Sequence, residues 1–211
     1  MSLAADTSPA WLDVSHETYG RLRAHLALVQ KWTSTVNLIS QGSAGAAWRR
    51  HVLDSAQVWV AARSTEGLWI DIGSGGGFPG LVAAIIGREL APNMRFVLVE
   101  SDRRKAAFLR EAGRQLGVPL DVRVGRIEEI DGLKGSIVSA RALAPLNTLL
   151  GSALKLLEPH GVALFPKGQT FEKELSEAGR NWTFVSEVIP SALEAGSVIL
   201  RIKDVQSGGT G

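Results

Sequence analysis

The chain has 211 residues, of which 23 are Lys or Arg, 21 are Asp or Glu and none is Cys. At roughly 150 residues per domain, that length predicts one domain with an extension rather than two full domains. The absence of cysteine excludes disulfides, thiolate metal ligands and a cysteine nucleophile, and a formal charge of +2 is too mild to mark a nucleic-acid binder by itself.

Residues 1–66 read as a helical extension. Met1 to Asp6 lacks a basic stretch followed by an apolar one, so no signal peptide is expected. Tyr19, Leu22, Leu26, Val29 and Trp32 recur at three- and four-residue steps and make one apolar helix face. Val52, Ala56, Trp59 and Val60 suggest another. Trp11, Trp32, Trp48 and Trp59 all lie here, and docking these helices onto the main body is their expected task. The four histidines (His16, His25, His51 and His160) show no metal-ligand spacing, so no metal is expected.

From Leu68 onward short β-rich runs alternate with helical stretches. The predicted strands are Leu68–Ile72, Arg95–Glu100, Leu120–Val124, Ser136–Ser139, Val162–Pro166, Thr183–Ile189 and Ser197–Lys203. Predicted helices lie at Gly80–Ile86, Asp102–Leu116, Leu146–Leu157 and Thr170–Gly179. The pattern predicts an α/β domain over residues 67–205, with a seven-stranded, mainly parallel sheet covered by helices on both faces. No helix-length segment separates the last two strands, so they are expected to pair antiparallel at the edge. Residues 206–211 are expected to be a flexible tail. The longest aliphatic run, Leu81 to Ile86, is far short of the ~20 residues that span a bilayer. A cytoplasmic protein without membrane contact is expected.

The strongest local signal is Asp71-Ile72-Gly73-Ser74-Gly75-Gly76-Gly77-Phe78-Pro79-Gly80, an apolar strand running through a glycine-rich turn into a helix. Such a turn lets a ligand approach where Cβ atoms would block it, at the strand end where open α/β sheets bind ligands. Two registers compete. Gly75, Gly77 and Gly80 match the dinucleotide pattern, with Glu100 twenty residues on as a ribose-binding acid. Asp71-x-Gly73-x-Gly75 instead matches the turn of S-adenosylmethionine (AdoMet) methyltransferases, with Glu100 accepting both ribose hydroxyls. The length leaves no room for the separate substrate domain of a dehydrogenase, and Ile127 and Glu128, just after the third strand, suit an adenine-bracketing loop.

After the fourth strand comes Ser139-Ala140-Arg141-Ala142. The Asp/Asn-Pro-Pro-aromatic motif of exocyclic-amine methylation is missing, and there is no cysteine for covalent addition to a pyrimidine. An acceptor with a free lone pair, such as guanine N7, needs no general base and fits. Arg141 is expected to orient substrate or cofactor, because its planar fork suits a base edge, a phosphate or a carboxylate.

Residues 95–126 carry Arg95, Arg103, Arg104, Lys105, Arg110, Arg114, Arg123 and Arg126 against Glu100, Asp102, Glu111 and Asp121, a local excess of +4. Together with Arg49, Arg50 and His51 they form a candidate phosphate-contacting surface. Lys167, ending the fifth strand, is a further candidate RNA contact. His51 and Asp54 are spaced to share a helix face.

The set Val36-Asn37-Leu38, Arg50-His51-Val52-Leu53-Asp54-Ser55, Asp71 to Gly80, Ser139-Ala140-Arg141-Ala142 and Phe165-Pro166-Lys167-Gly168 resembles, in order and spacing, the RsmG (GidB) family of bacterial 16S rRNA guanine-N7 methyltransferases. The resemblance covers residues 20–203. It implies a Rossmann-like class I fold, AdoMet as cofactor, and methylation of guanine N7 at the position conventionally numbered 527, on 16S rRNA or a small-subunit particle. It also implies cofactor contacts at Gly73, Phe78, Ile127, Glu128 and Arg141. The loop reading adds Asp71, Ser74, Gly75, Gly77 and Glu100, and Asn37, Arg50, His51, Arg103, Arg104 and Lys167 are the candidate RNA contacts. A monomer is the simplest expectation.

Overall fold

The computed structural model describes residues 9–40 and 44–208. Seven strands make one sheet: β1 (Leu68–Ile72), β2 (Arg95–Glu100), β3 (Asp121–Val124), β4 (Gly135–Ser139), β5 (Leu157–Lys167), β6 (Trp182–Pro190) and β7 (Val198–Ser207). Their spatial order is β3-β2-β1-β4-β5-β7-β6. Strands β1 to β5 pair in parallel, and β7 lies antiparallel between β5 and β6. The expected edge pair is therefore present, with the last strand in sequence inserted inside the one before it. β7 pairs Gln206 with Thr183 and Ser207 with Trp182. Residues 206 and 207, expected in a tail, thus belong to the sheet, while residues 209–211, like Met1 to Asp6, lie outside the described residues.

The helices are α1 (His16–Thr33), α2 (Ala44–Ala47), a π-helical turn (Trp48–Leu53), α3 (Asp54–Ala62), α4 (Gly80–Leu90), α5 (Arg103–Leu116), α6 (Leu146–Leu156) and α7 (Phe171–Ala178). Alternation along the strands divides the core. Trp69, Phe96, Leu98 and Ile137 face the layer of α1, α3, α4 and α5, while Ile70, Ile72, Val97 and Val138 face α6 and α7. Because both faces are covered, β1 is buried at every position and is apolar except for Asp71. The first two turns of α4 are apolar all round for the same reason: Leu81, Val82, Ile85 and Ile86 are all fully buried, beneath α1 and α3.

The N-terminal helices share one core with the sheet rather than forming a unit of their own. Leu22, Leu26 and Val29 lie in the same cluster as Leu81, Ile85, Phe108 and Leu109. Ser15 caps α1 by accepting from the Thr18 amide, and its own N–H and hydroxyl donate to Glu89 at the end of α4. Trp59 stacks on Trp69 with ring centroids 5.9 Å apart, Trp32 meets the edge of Phe108 and Trp48 the edge of Tyr19. Trp32 and Trp59 thus dock the helices onto the main body as expected, whereas Trp48 packs within the helical extension and Trp11 lies partly buried against the shared core. Val60, expected on the buried face, is 47% exposed; one residue past Trp59, it is turned about 100° around the helix toward solvent.

The chain leaves β1 toward the α4 face and leaves β4 toward the α6 face. That reversal opens a crevice at the carboxyl ends of two neighbouring strands, the position where such sheets take ligands.

Candidate cofactor and nucleotide site

Gly73, Gly75 and Gly77 have φ of +65°, +53° and +86°, values that only glycine adopts without strain. The turn they form lies over the end of β2. The Gly75 amide donates to Glu100 Oε2 at 2.8 Å, and the Asp102 amide donates to Oε1 at 2.8 Å. Glu100 is buried, at 7% exposure, and each carboxylate oxygen keeps a further lone pair for a hydroxyl. A β-carbon on Gly75 would meet only the Gly73 carbonyl, at 3.8 Å, so this face of the turn is open. Gly80 differs: a β-carbon there would stand 2.5 Å from Asp71 Cβ. Gly75 leaves space for a ligand, whereas Gly80 lets α4 pack on the end of β1.

Asp71 is completely buried. The Ser139 hydroxyl donates to its Oδ1 at 2.6 Å, and the Trp69 indole N–H donates to the Ser139 hydroxyl at 2.8 Å. Oδ2 is a buried oxygen with no hydrogen-bond partner among the described residues. Burial lifts the Asp71 pKa to about 6, against the pull of the Ser139 hydrogen bond. Ser74 closes the turn by donating to the Asp71 main-chain carbonyl at 3.0 Å.

Phe78 lies at the far end of the loop and is 5% exposed. Its ring is flanked by His25 at 4.9 Å and His51 at 5.2 Å, and the Arg141 guanidinium carbon lies 5.2 Å from the ring centroid. Arg141 donates to the Arg50 carbonyl at 2.9 Å and to His51 Nδ1 at 2.8 Å, with Asp54 Oδ2 3.5 Å away. Desolvation, then the charges of Arg141 and Arg50, push His51 down to about 4, so the ring is neutral at pH 7 and free to accept on Nδ1. Arg141 is thus fixed by the π-helical turn, an irregularity common at functional sites. The next residue, Ala142, has φ of +50°, a left-handed conformation that costs an L-residue roughly 1–2 kcal/mol.

Beyond Arg141 lies an open cleft of about 1080 Å³. Its walls are the π-helical turn (Arg49, Arg50, His51), the loop after β4 (Arg141 to Pro145), the end of β5 with the start of α7 (Pro166, Lys167, Lys173, Glu174), and the β6–β7 connection (Leu193, Glu194). That connection is tied to the helical extension. Gln57 accepts from the Ala192 amide at 2.7 Å and donates to the Ser191 hydroxyl at 3.3 Å, and Arg49 donates to the Leu193 carbonyl. Leu143 marks the boundary with the glycine loop: a β-carbon on Gly73 would stand 2.6 Å from Leu143 Cδ1.

The structure divides the expected site residues into groups. Asp71, Gly73, Ser74, Gly75, Gly77 and Glu100 converge at the β1 and β2 ends, and Arg50, His51 and Arg141 converge on the cleft. The Phe78 ring packs against the two histidines. Ile127 and Glu128 form a 3-10 turn after β3 whose carbonyls accept from Lys155 at 3.2 and 2.6 Å. The Lys167 side chain is 10% exposed, and its ammonium donates to Glu174 Oε2 at 2.7 Å and the Ala144 carbonyl at 3.1 Å. Glu174 also accepts from the Leu146 amide that opens α6, so within the cleft wall Lys167 acts as a strut for the loop after β4. Asn37, Arg103 and Arg104 are exposed but do not line the cleft. Several of the basic side chains of residues 95–126 are held locally, although the net excess of +4 is unchanged by it: Arg110 donates to the Val122 carbonyl, Arg114 pairs with Glu111 and Arg123 with Asp121. No sequence pattern marks His25, Ser139, Leu143, Gln57 or Glu174 individually as site residues. Ser139 lay inside a motif already singled out, and His25 stood on the apolar face of its helix, where its neighbours Leu22, Leu26 and Val29 are aliphatic.

The family described as GidB, rRNA small subunit methyltransferase G, matches residues 18–198. Curated relatives named ribosomal RNA small subunit methyltransferase G include one from Cereibacter sphaeroides, 46% identical over 91% of this chain and 92% of its own. Another, from Parvibaculum lavamentivorans, is 45% identical over 94% and 88%. A third, from Rhodospirillum centenum, is 41% identical over 99% and 94%. Among solved structures the fold is similar to that of a Podospora anserina methyltransferase bound to SAH (TM-score 0.61, 15% identity, 87% of this chain and 88% of that one). It is also similar to a ribosomal protein L11 methylase from Lactobacillus delbrueckii (TM-score 0.55, 14% identity, 73% and 78%). The fold is Rossmann-like class I, and the chain belongs to the GidB family of rRNA small subunit methyltransferases G.

Proposed function

We propose that this protein transfers the methyl group of AdoMet to N7 of a guanine in 16S rRNA, at the position conventionally numbered 527. The observation that carries the cofactor half is the buried Glu100 carboxylate, held directly beneath the open Gly75 turn by the Gly75 amide. When bound there, AdoMet supplies an electrophilic sulfonium methyl group. Glu100 keeps acceptor capacity for the ribose hydroxyls, and Ile127 and Glu128 stand one strand further on for the adenine.

The cleft on the β4–β5 side takes the nucleotide. Arg49, Arg50 and Lys173 on its walls suit phosphate oxygens, and Leu143, Pro145 and Pro166 offer an apolar surface for a base. Guanine N7 has a lone pair and no proton to lose, so catalysis rests on alignment and electrostatics. A site in which Arg141 is fixed by three partners rather than by a free base agrees with that requirement.

The test is incubation with methyl-labelled AdoMet and either deproteinised 16S rRNA or small-subunit particles lacking the modification. Label recovered as 7-methylguanosine at a single position is expected, and the better substrate of the two identifies the natural one. No incorporation into either overturns the reading.

A further inference from the structure

We propose that His25 is a positioning residue for the cofactor site: its Nε2–H holds the Gly76 carbonyl, and through it the Gly75 turn, in the orientation that receives AdoMet. The inference rests on the cofactor reading above and adds to it a role for the N-terminal helix.

His25 lies on α1, completely buried, with Nε2 2.8 Å from the Gly76 carbonyl fifty-one residues away. A carbonyl only accepts, so the ring proton sits on Nε2. Desolvation lowers the His25 pKa to about 4, which leaves the ring neutral at pH 7 with that single N–H. The other nitrogen, Nδ1, is buried without a hydrogen-bond partner. An unsatisfied buried nitrogen is a cost, and nothing in the packing demands it, because the same helix face is otherwise filled by Leu22, Leu26 and Val29. What an aliphatic side chain could not do is hold the loop.

The loop needs holding. Gly75 and Gly77, on either side of Gly76, both sit at positive φ, and glycines rotate freely between alternative backbone basins. The loop is gripped from both sides at neighbouring peptide units: the Gly76 carbonyl faces α1, and the Gly75 amide faces Glu100 at 2.8 Å. The contact is close enough that a β-carbon on Gly77 would stand 3.1 Å from His25 Nε2. The ring also lies 4.9 Å from Phe78, so it braces the loop at two successive points. The helical extension thus orders the cofactor turn as well as covering the core.

The test uses the full chain and compares AdoMet affinity by calorimetry with thermal stability for wild type, His25→Leu, His25→Gln and Leu22→Ala. Leu22 is buried on the same helix but is not a loop ligand, so its truncation lowers stability alone. Loss of one hydrogen bond that orders the loop predicts that His25→Leu weakens AdoMet binding about tenfold. His25→Gln, whose amide can still donate to the carbonyl, should stay within about threefold of wild type, and Leu22→Ala should bind normally despite a lower melting temperature. Wild-type affinity in His25→Leu overturns the proposal, as does equal weakening in Leu22→Ala and His25→Leu. If wild type itself binds no AdoMet, the cofactor reading fails instead.

Discussion

Arg141 Nη2 lies 2.8 Å from His51 Nδ1, although the two residues are ninety positions apart. The contact joins the loop after β4 to the π-helical turn and so connects the sheet edge with the helical extension. Arg141→Ala removes donors from the Arg50 carbonyl and His51 and leaves Asp54 without its counter-charge. The expected loss is roughly 1–3 kcal/mol of stability, and the fall in single-turnover methylation is expected to be about a hundredfold, because misplacement by a fraction of the loop's width is enough. Arg141→Lys keeps the charge but loses the fork, so it is expected to recover stability better than turnover. Single-turnover kinetics beside thermal melts separate the two, and wild-type turnover in Arg141→Ala would remove the residue from the mechanism.

The glycines of one loop should respond to alanine in opposite ways. At Gly75 a methyl group enters open space at positive φ, so the cost in stability is about 1–2 kcal/mol while AdoMet binding is strongly impaired. At Gly80 the methyl group collides with Asp71 at 2.5 Å, inside a close-packed core, and a larger loss of about 3 kcal/mol or more, the upper end of overpacking costs, is expected. Melting curves and AdoMet titrations of the two variants check this. Equal stability losses would show that Gly75 is as crowded as Gly80.

The ease of reading the sequence followed the clarity of its punctuation. β1 and β2 end where predicted because an apolar run meets a glycine turn or a capping Asp102, whose carboxylate accepts from the Arg104 and Lys105 amides. β5 starts at Leu157, five residues before its predicted start, because Glu158-Pro159-His160-Gly161 looks like a turn and is instead accommodated by a bulge opposite Gly135 and Ile137. The glycine loop and Glu100 were legible because their spacing along the chain sets the chemistry. His25, Gln57 and Glu174 were not, because their partners, Gly76, Ala192 and Leu146, are distant in sequence and meet them only after folding.

RNA affinity should separate the cleft cations from the strut. Arg50→Ala and Lys173→Ala each remove a charge from the cleft wall. Each is expected to lower the slope of log K against log salt by about 0.7–0.9, as for loss of one phosphate contact. Lys167→Met should leave that slope unchanged, since Lys167 is spent on Glu174 and the Ala144 carbonyl. It should instead destabilise the fold by about 1–3 kcal/mol, the usual cost of leaving a partly buried polar group without its partner. Filter binding across a salt series reads the first effect and urea unfolding the second. A reduced slope in Lys167→Met would return that residue to the RNA surface.

Two buried groups titrate against each other in acid. His25 has an unfolded-state pKa near 6.5 and a folded value of about 4, so the unfolded chain takes up the proton first. The stability His25 contributes above pH 6.5 is lost as pH falls toward 4, a loss of roughly 3 kcal/mol at 1.36 kcal/mol per pKa unit. Asp71 runs the other way. Its pKa rises on folding from 3.8 to about 6, so between those values the folded state holds the proton that the unfolded state has released, and acidification stabilises by roughly 3 kcal/mol. In wild type the two nearly cancel between pH 6 and 4. Relative to wild type, His25→Gln should therefore gain stability as pH falls from 6.5 to 4, and Asp71→Asn should lose it from 6 to 4. His51, shifted in the same direction as His25, is present in all three proteins and drops out of the differences. Urea midpoints at pH 7, 6, 5 and 4 provide the measurement. Curves that run parallel to wild type would mean that neither buried group changes its proton affinity on folding.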